Sequence, residues 1–153
     1  MSHQIAVVGA GRWGVNLVRN FAALEALRVV CDADSARLAR LKAQYPGLGT
    51  SKAYEDILSD TAIQAAVIAT PAASHYTHAK AAMAAGKDVF VEKPLALTVE
   101  DGRSLVALAE QSQRILMIGR LLRYHPGILR LKELVDDGNL GKIQYVYSNR
   151  LNR

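Results

Sequence analysis

The chain has 153 residues, half of them apolar and 22% charged, which suits a domain with a sizeable core and excludes a disordered tail. Its formal net charge is +5, yet Lys and Arg form no basic run, which points away from nucleic acid and toward a small anionic ligand. No apolar run approaches a membrane span and the single cysteine, Cys31, has no disulfide partner, so we expect a cytoplasmic protein with a buried thiol.

Ile5–Val8 reads as a short apolar strand, and 9–14 is a glycine-rich turn that opens a helix over 13–24. A second strand, Leu27–Cys31, ends at Asp32. Asp34 or Ser35 caps a helix over 36–45, with Leu38, Leu41 and Tyr45 on one face, and Pro46-Gly47 stops it. One or two helical turns are expected over 54–58. A third strand over 65–69 runs into Thr70-Pro71, and Ser74 caps an alanine-rich helix over 75–85 that Gly86 ends. Asp88–Val91 is the fourth strand. Thr98 and Asp101 resemble a capping box that opens a helix to about Gln111, and 115–118 is the fifth strand.

These strands are continuous apolar runs, as expected for strands covered on both faces. Interleaved with helices, they predict an α/β fold: a doubly wound parallel sheet of Rossmann type over 1–120. The pattern changes after Gly119. Ile128, Leu131, Leu134 and Val135 recur at helical spacing up to Gly138, and 143–149 alternates like a half-buried strand. We expect 121–153 to be the connecting helix and first strand of a truncated α+β second domain, the rest of which belongs to a longer protein.

The stretch Val7–Gly14 contains G-x-G-x-x-G, with glycines at 9, 11 and 14. It follows a strand, opens a helix, and is answered by Asp32 at the end of the next strand, which is the context of a dinucleotide site. Gly9 permits the tight turn, Gly11 lets the backbone approach a pyrophosphate, and Gly14 lets helix and strand pack closely. The helix start offers free N–H groups to the phosphates, and Arg12 can screen their charge. Asp32 can accept hydrogen bonds from ribose hydroxyls and would repel a 2′-phosphate, which favours NAD over NADP. Arg37 reads as a solvated helix face and Asp34 as a cap.

Ligands of an open parallel sheet bind at the carboxyl ends of its strands. Thr70-Pro71 is one such end, kept extended by the proline. His75, in the first turn of its helix, is expected to be neutral and able to hydrogen-bond near the cofactor. His75 and His78 are three apart, but no third ligand is in evidence and no metal site is expected. Glu92-Lys93-Pro94 is the second end. A partly desolvated Lys93 beside the cofactor ring would have a lowered pKa and could exchange a proton with a substrate hydroxyl or carbonyl. Glu92 would balance that charge or hold a ribose, and Pro94 would aim the lysine. The third end is 120–125, where Arg123 and Tyr124 join Lys93 as candidate substrate contacts.

The stretches "VVGAGRWG", "VCDAD", "VIATPAASHYTHAKAAMAAGKDVFVEKPLALT" and "LGKIQYVYSN" together resemble the N-terminal part of the Gfo/Idh/MocA family. The resemblance implies an NAD(P)-dependent oxidoreductase acting on a ring carbon of a sugar, cyclitol or related alcohol. It implies that Lys93 is the active-site lysine, that Glu92 and Pro94 shape its pocket, and that Thr70, Pro71 and His75 line the nicotinamide. Trp13 belongs to the cofactor-binding turn. The segment from Leu121 resembles nucleotide-sugar 3-dehydrogenases in particular. The second-domain residues that complete the family's site lie beyond Arg153, so we expect this chain alone to be inactive and its parent to be a homo-oligomer. The alternative is a non-catalytic dinucleotide-binding sensor, which has no need of an aimed base beside a proline.

Overall fold

The computed structural model describes residues 4–149. His3 and the last four residues of the expected 121–153 segment lie outside the described residues. The chain divides into two compact units, 1–119 and 120–153.

The first unit is a six-stranded parallel sheet. Its strands are β1 (Ile5–Val8), β2 (Leu27–Cys31), β3 (Gly49–Ser51), β4 (Ala65–Ile68), β5 (Asp88–Val91) and β6 (Leu116–Ile118). They lie in the order β3-β2-β1-β4-β5-β6. The chain therefore winds outward from β1 to β3, crosses back over the sheet, and winds out the other way from β4. That reversal between β1 and β4 is where such sheets open a ligand crevice. β3 was not read from the sequence: "GTS" has no apolar run, and it pairs only along the edge with β2.

The helices of this unit are α1 (Gly14–Ala23), α2 (Ser35–Gln44), α3 (Tyr54–Ser59), α4 (His75–Ala84) and α5 (Val99–Ser112). Alternate strand residues divide the core. Val7, Val30 and Val67 pack with Leu17 and Val18 of α1 and Leu38 and Leu41 of α2. Ala6, Val8, Ile68, Val89 and Val91 pack with Ile57 of α3, Met83 of α4 and Leu105 of α5. Each fully buried side chain of this size contributes about 1.5–3 kcal/mol. Burial on both faces explains the apolar runs of β1, β4 and β5, whereas β6 at the sheet edge leaves Met117 exposed.

Two caps follow the sequence. Asp34 accepts from the N–H groups of Ala36 and Arg37, and Thr98 accepts from that of Asp101. Ser74 does not cap α4; its hydroxyl donates to the Pro71 carbonyl and lies 2.9 Å from the Thr70 hydroxyl instead. A short 3-10 turn over Ala72–Ser74 precedes that helix.

The second unit holds a 3-10 turn (Leu121–Tyr124) and α6 (Pro126–Asp136), with Pro126 at the first helical position. The strand expected over 143–149 does not form among the described residues. Tyr145, Val146 and Tyr147 are all exposed rather than alternating. A strand needs a neighbour for its backbone groups, and no described residue pairs with this one.

Candidate nucleotide-binding site at the carboxyl edge of the sheet

The register places the last strand residues side by side: Ser51 with Cys31, Cys31 with Val8, Val8 with Ile68, Ile68 with Val91, and Val91 with Ile118. The residues that follow continue the ladder. Gly9 N–H donates to the Cys31 carbonyl, Ala69 N–H to that of Val8, Glu92 N–H to that of Ile68, and Gly119 N–H to that of Val91. Gly9, Asp32, Ala69, Glu92 and Gly119 thus form one row along the carboxyl edge. Residues as far as sixty positions apart in the chain, Gly9 and Ala69, become neighbours because the strands are parallel and in register.

The glycine turn is built for close approach. Gly9 has φ +95°, and a Cβ there would sit 2.8 Å from the Ala69 carbonyl carbon. A side chain at Gly14 would run into the Gly9 carbonyl oxygen. Gly11 faces open space, with the Arg37 guanidinium 3.9 Å from its would-be Cβ. Such a cradle, open at Gly11 and opposite a helix start, fits the pyrophosphate of a dinucleotide. Arg12 and Trp13 of the turn are exposed, Trp13 by 47%.

Asp32 is nearly closed off from solvent, with a side chain 8% exposed. Its Oδ2 accepts from Ala10 N–H at 2.6 Å and its Oδ1 from Asp34 N–H at 2.8 Å. Arg37 lies on a solvated helix face, as the sequence reading has it, with its side chain 48% exposed, but it also pairs with both aspartates. Its Nη1 lies 3.5 Å from Asp32 Oδ2 and its Nε 3.2 Å from Asp34 Oδ2. Asp32 can still accept from a ribose hydroxyl, since a carboxylate offers about four lone-pair positions.

His75 is 2% exposed. Its Nδ1 lies 2.6 Å from the Pro94 carbonyl oxygen and its Nε2 2.7 Å from that of Thr70. Each ring nitrogen therefore lies within hydrogen-bond distance of a backbone carbonyl. Both ring nitrogens thus face backbone carbonyls, so His75 contacts these turns and not open space at the cofactor side. His75 lies beneath the site and fastens the Thr70 turn to the Lys93-Pro94 turn. It also leaves no nitrogen for a metal shared with His78. No cluster of three or more His, Cys, Asp or Glu able to hold a metal occurs among the described residues.

A small network beneath Thr70 was not read from the sequence. Thr70 Oγ1 lies 3.3 Å from His78 Nδ1, the rings of Tyr54 and His78 meet edge-on at 4.6 Å, and Tyr54 donates to the His78 carbonyl. Burial, and then the charge of His75, hold the His78 pKa below its usual value. Burial raises the Tyr54 hydroxyl's. These residues are far apart in sequence and carry no motif.

Glu92 is buried, and its Oε1 finds no hydrogen-bond partner. It packs against Gly119, leaving no room for a side chain there. An orphaned buried carboxylate oxygen is costly, about 1–3 kcal/mol or more for a charged group, and is a common mark of a functional position. Lys93 beside it is exposed, as is Pro94, so the partial desolvation expected for the lysine is absent here. The Lys93-Pro94 peptide is cis. Arg123 and Tyr124 belong to the second unit and are exposed.

A family model described as an oxidoreductase family with an NAD-binding Rossmann fold matches residues 3–120. The chain belongs to the Gfo/Idh/MocA family. The dinucleotide cradle is thus the NAD-binding domain of that family. A curated relative, glycosyl hydrolase family 109 protein 2 of a Shewanella species, is 34% identical over 151 residues, covering 92% of this chain and 33% of its own. The scyllo-inositol dehydrogenase of Lactobacillus casei, solved with NAD(H) and scyllo-inositol, superposes with a TM-score of 0.84 at 26% identity, over 92% of this chain and 43% of that one. The WlbA dehydrogenase of Chromobacterium violaceum, solved with NADH and UDP-GlcNAcA, gives a TM-score of 0.84 at 26% identity, over 92% and 41%. The chain spans less than half the length of these proteins. No helix among the described residues is long and apolar enough to cross a membrane.

Proposed function

We propose that this chain is the cofactor-carrying part of an oxidoreductase that moves a hydride to or from a ring carbon of a sugar, nucleotide sugar or cyclitol. The observation that carries the reading is the row at the sheet edge, which sets Lys93 and the buried Glu92 in line with Ala69-Thr70 and the glycine turn. The similarity to dehydrogenases of inositol and of a nucleotide sugar supports the substrate class. We further read 121–153 as the start of a substrate and dimerisation domain, with Arg123 and Tyr124 reaching substrate, and we place the protein in the cytoplasm.

When bound, NAD supplies the hydride acceptor; this chain's residues hold and orient it and place the lysine. N–H groups at the α1 start meet the pyrophosphate, and Asp32 accepts from the adenosine ribose. Thr70 and Pro71 wall the nicotinamide side. Glu92, with one carboxylate oxygen unpaired, accepts from the second ribose or from the Lys93 ammonium. Lys93 is exposed, so a substrate can reach its amine, which takes up the hydroxyl proton as the alcohol is oxidised and returns it on reduction. His75 and the buried network keep the two turns in place, which matters because reacting atoms must approach within about 3–3.5 Å.

The test is NAD reduction by the complete oxidoreductase on cyclitols and UDP-sugars, alongside NAD binding by this chain. Binding without any turnover in the complete protein would favour the sensor reading. The Shewanella relative's name favours one variant: cleavage of a glycosidic bond, seen as sugar release without net NAD reduction.

A further inference from the structure

We propose that His78 is a positioning residue for the nicotinamide half of the cofactor, acting through the hydroxyl of Thr70. The proposal rests on the reading that the glycine turn holds a dinucleotide whose ring reaches the end of β4. His75 and His78 stand three apart in α4, a spacing that puts both rings on one face of the helix. Both reach the same residue. His75 Nε2 lies 2.7 Å from the Thr70 carbonyl oxygen, and His78 Nδ1 lies 3.3 Å from Thr70 Oγ1. The pair therefore grips Thr70 at backbone and side chain together. His78 is itself held from α3. The Tyr54 ring meets its imidazole edge-on, with centroids 4.6 Å apart, and the Tyr54 hydroxyl donates to its carbonyl oxygen at 2.7 Å.

A threonine hydroxyl turns about its Cβ–Oγ1 bond unless neighbours fix it, and it offers one donor and two acceptor positions. Ser74 Oγ, 2.9 Å away, takes one of these and His78 Nδ1 another. One position of set direction is left for a ligand. Thr70 is half-buried and follows Ala69 of the row at the carboxyl edge, so a nicotinamide lying along that edge passes beside it. The carboxamide of nicotinamide both donates and accepts, so it matches the remaining position in either sense. Among the described residues, no hydrogen bond joins His78 to the glycine turn or to Asp32. Loss of His78 is therefore felt at one end of the dinucleotide only.

Calorimetric titration of the chain with NAD and with ADP-ribose, which lacks the nicotinamide, separates the two ends. His78→Phe keeps a flat ring against Tyr54 and removes Nδ1. It should weaken NAD binding about three- to tenfold, the loss of one neutral hydrogen bond, and leave ADP-ribose binding within about twofold. His78→Asn, whose amide reaches the place of Nδ1, should restore most of the NAD affinity, whereas His78→Gln, one carbon longer, should not. In a Thr70→Val background, His78→Phe should cost nothing further. Equal weakening of NAD and ADP-ribose would make His78 a structural prop; that result, unchanged NAD binding, or additive losses from Thr70→Val and His78→Phe would overturn the proposal and leave the dinucleotide reading in place. The Asn and Gln variants decide the question if the Phe variant does not fold. If the unaltered chain binds neither NAD nor ADP-ribose, the dinucleotide reading falls and this proposal with it.

Discussion

His75 Nδ1 lies 2.6 Å from the carbonyl oxygen of Pro94, tying α4 to the turn that carries the candidate catalytic lysine. The other ring nitrogen reaches Thr70, so one buried side chain couples the ends of β4 and β5. His75→Ala would leave two carbonyls unpaired inside the protein. Each costs about 1–3 kcal/mol, so a loss of about 2–6 kcal/mol is expected. Urea unfolding measures it. NAD titration of the same variant should show weaker binding, and an unchanged unfolding midpoint would refute the brace.

Gly14 offers a sharper contrast. A methyl group there meets the Gly9 carbonyl oxygen, a backbone atom that cannot step aside. Gly14→Ala should cost about 3 kcal/mol or more and reduce NAD binding at least tenfold. Gly102, inside α5, has nothing within 4 Å of a would-be Cβ. Gly102→Ala should instead raise stability by about 0.5–1 kcal/mol, through helix propensity alone. Equal effects from the two variants would contradict the packing described for the turn.

For Lys93, the expected signature is a split between binding and chemistry. Lys93→Ala in the complete oxidoreductase should lower kcat by about 10²–10⁴, the usual worth of a positioned acid or base, and leave NAD affinity nearly unchanged. A parallel loss of NAD affinity would assign the lysine to cofactor binding.

Alkaline stability reports on Cys31. Burial, and then the Asp32 carboxylate, push its thiol up to about 11 from an ordinary value of 9.0. Below pH 9 the thiol is protonated in both the folded and unfolded chain, and its contribution is complete. Between 9 and 11 only the unfolded chain ionises, so stability falls by about 1.4 kcal/mol per pH unit from this group. Urea midpoints at pH 8, 9.5 and 10.5 should therefore drop more steeply for the wild type than for Cys31→Ala. Parallel slopes would place the thiol in a wetter setting.

Local signals were legible wherever the pattern was dense. β1, β4 and β5 carry apolar runs that had to be buried on both faces. Asp34 and Thr98 cap helices because a side-chain oxygen next to free N–H groups acts within one turn, with no help from the rest of the fold. The short edge strand β3 was silent, since three residues with little burial leave no pattern. The segment 143–149 shows the opposite failure: it alternates like a strand, but a strand exists only where a partner accepts its hydrogen bonds.

The sequence by itself determined the winding of the domain, the glycine cradle and the dinucleotide it suits, because these depend on neighbours within one turn or one strand-helix unit. Only the tertiary structure decided what each polar side chain does. It turned His75 inward to two carbonyls, drew Arg37 onto Asp32, and left Glu92 buried with an oxygen unpaired. Those outcomes depend on parallel strands bringing residues 9, 32, 70 and 92 to one edge, and no short-range rule of hydrophobicity or spacing states which partner a polar atom will find there.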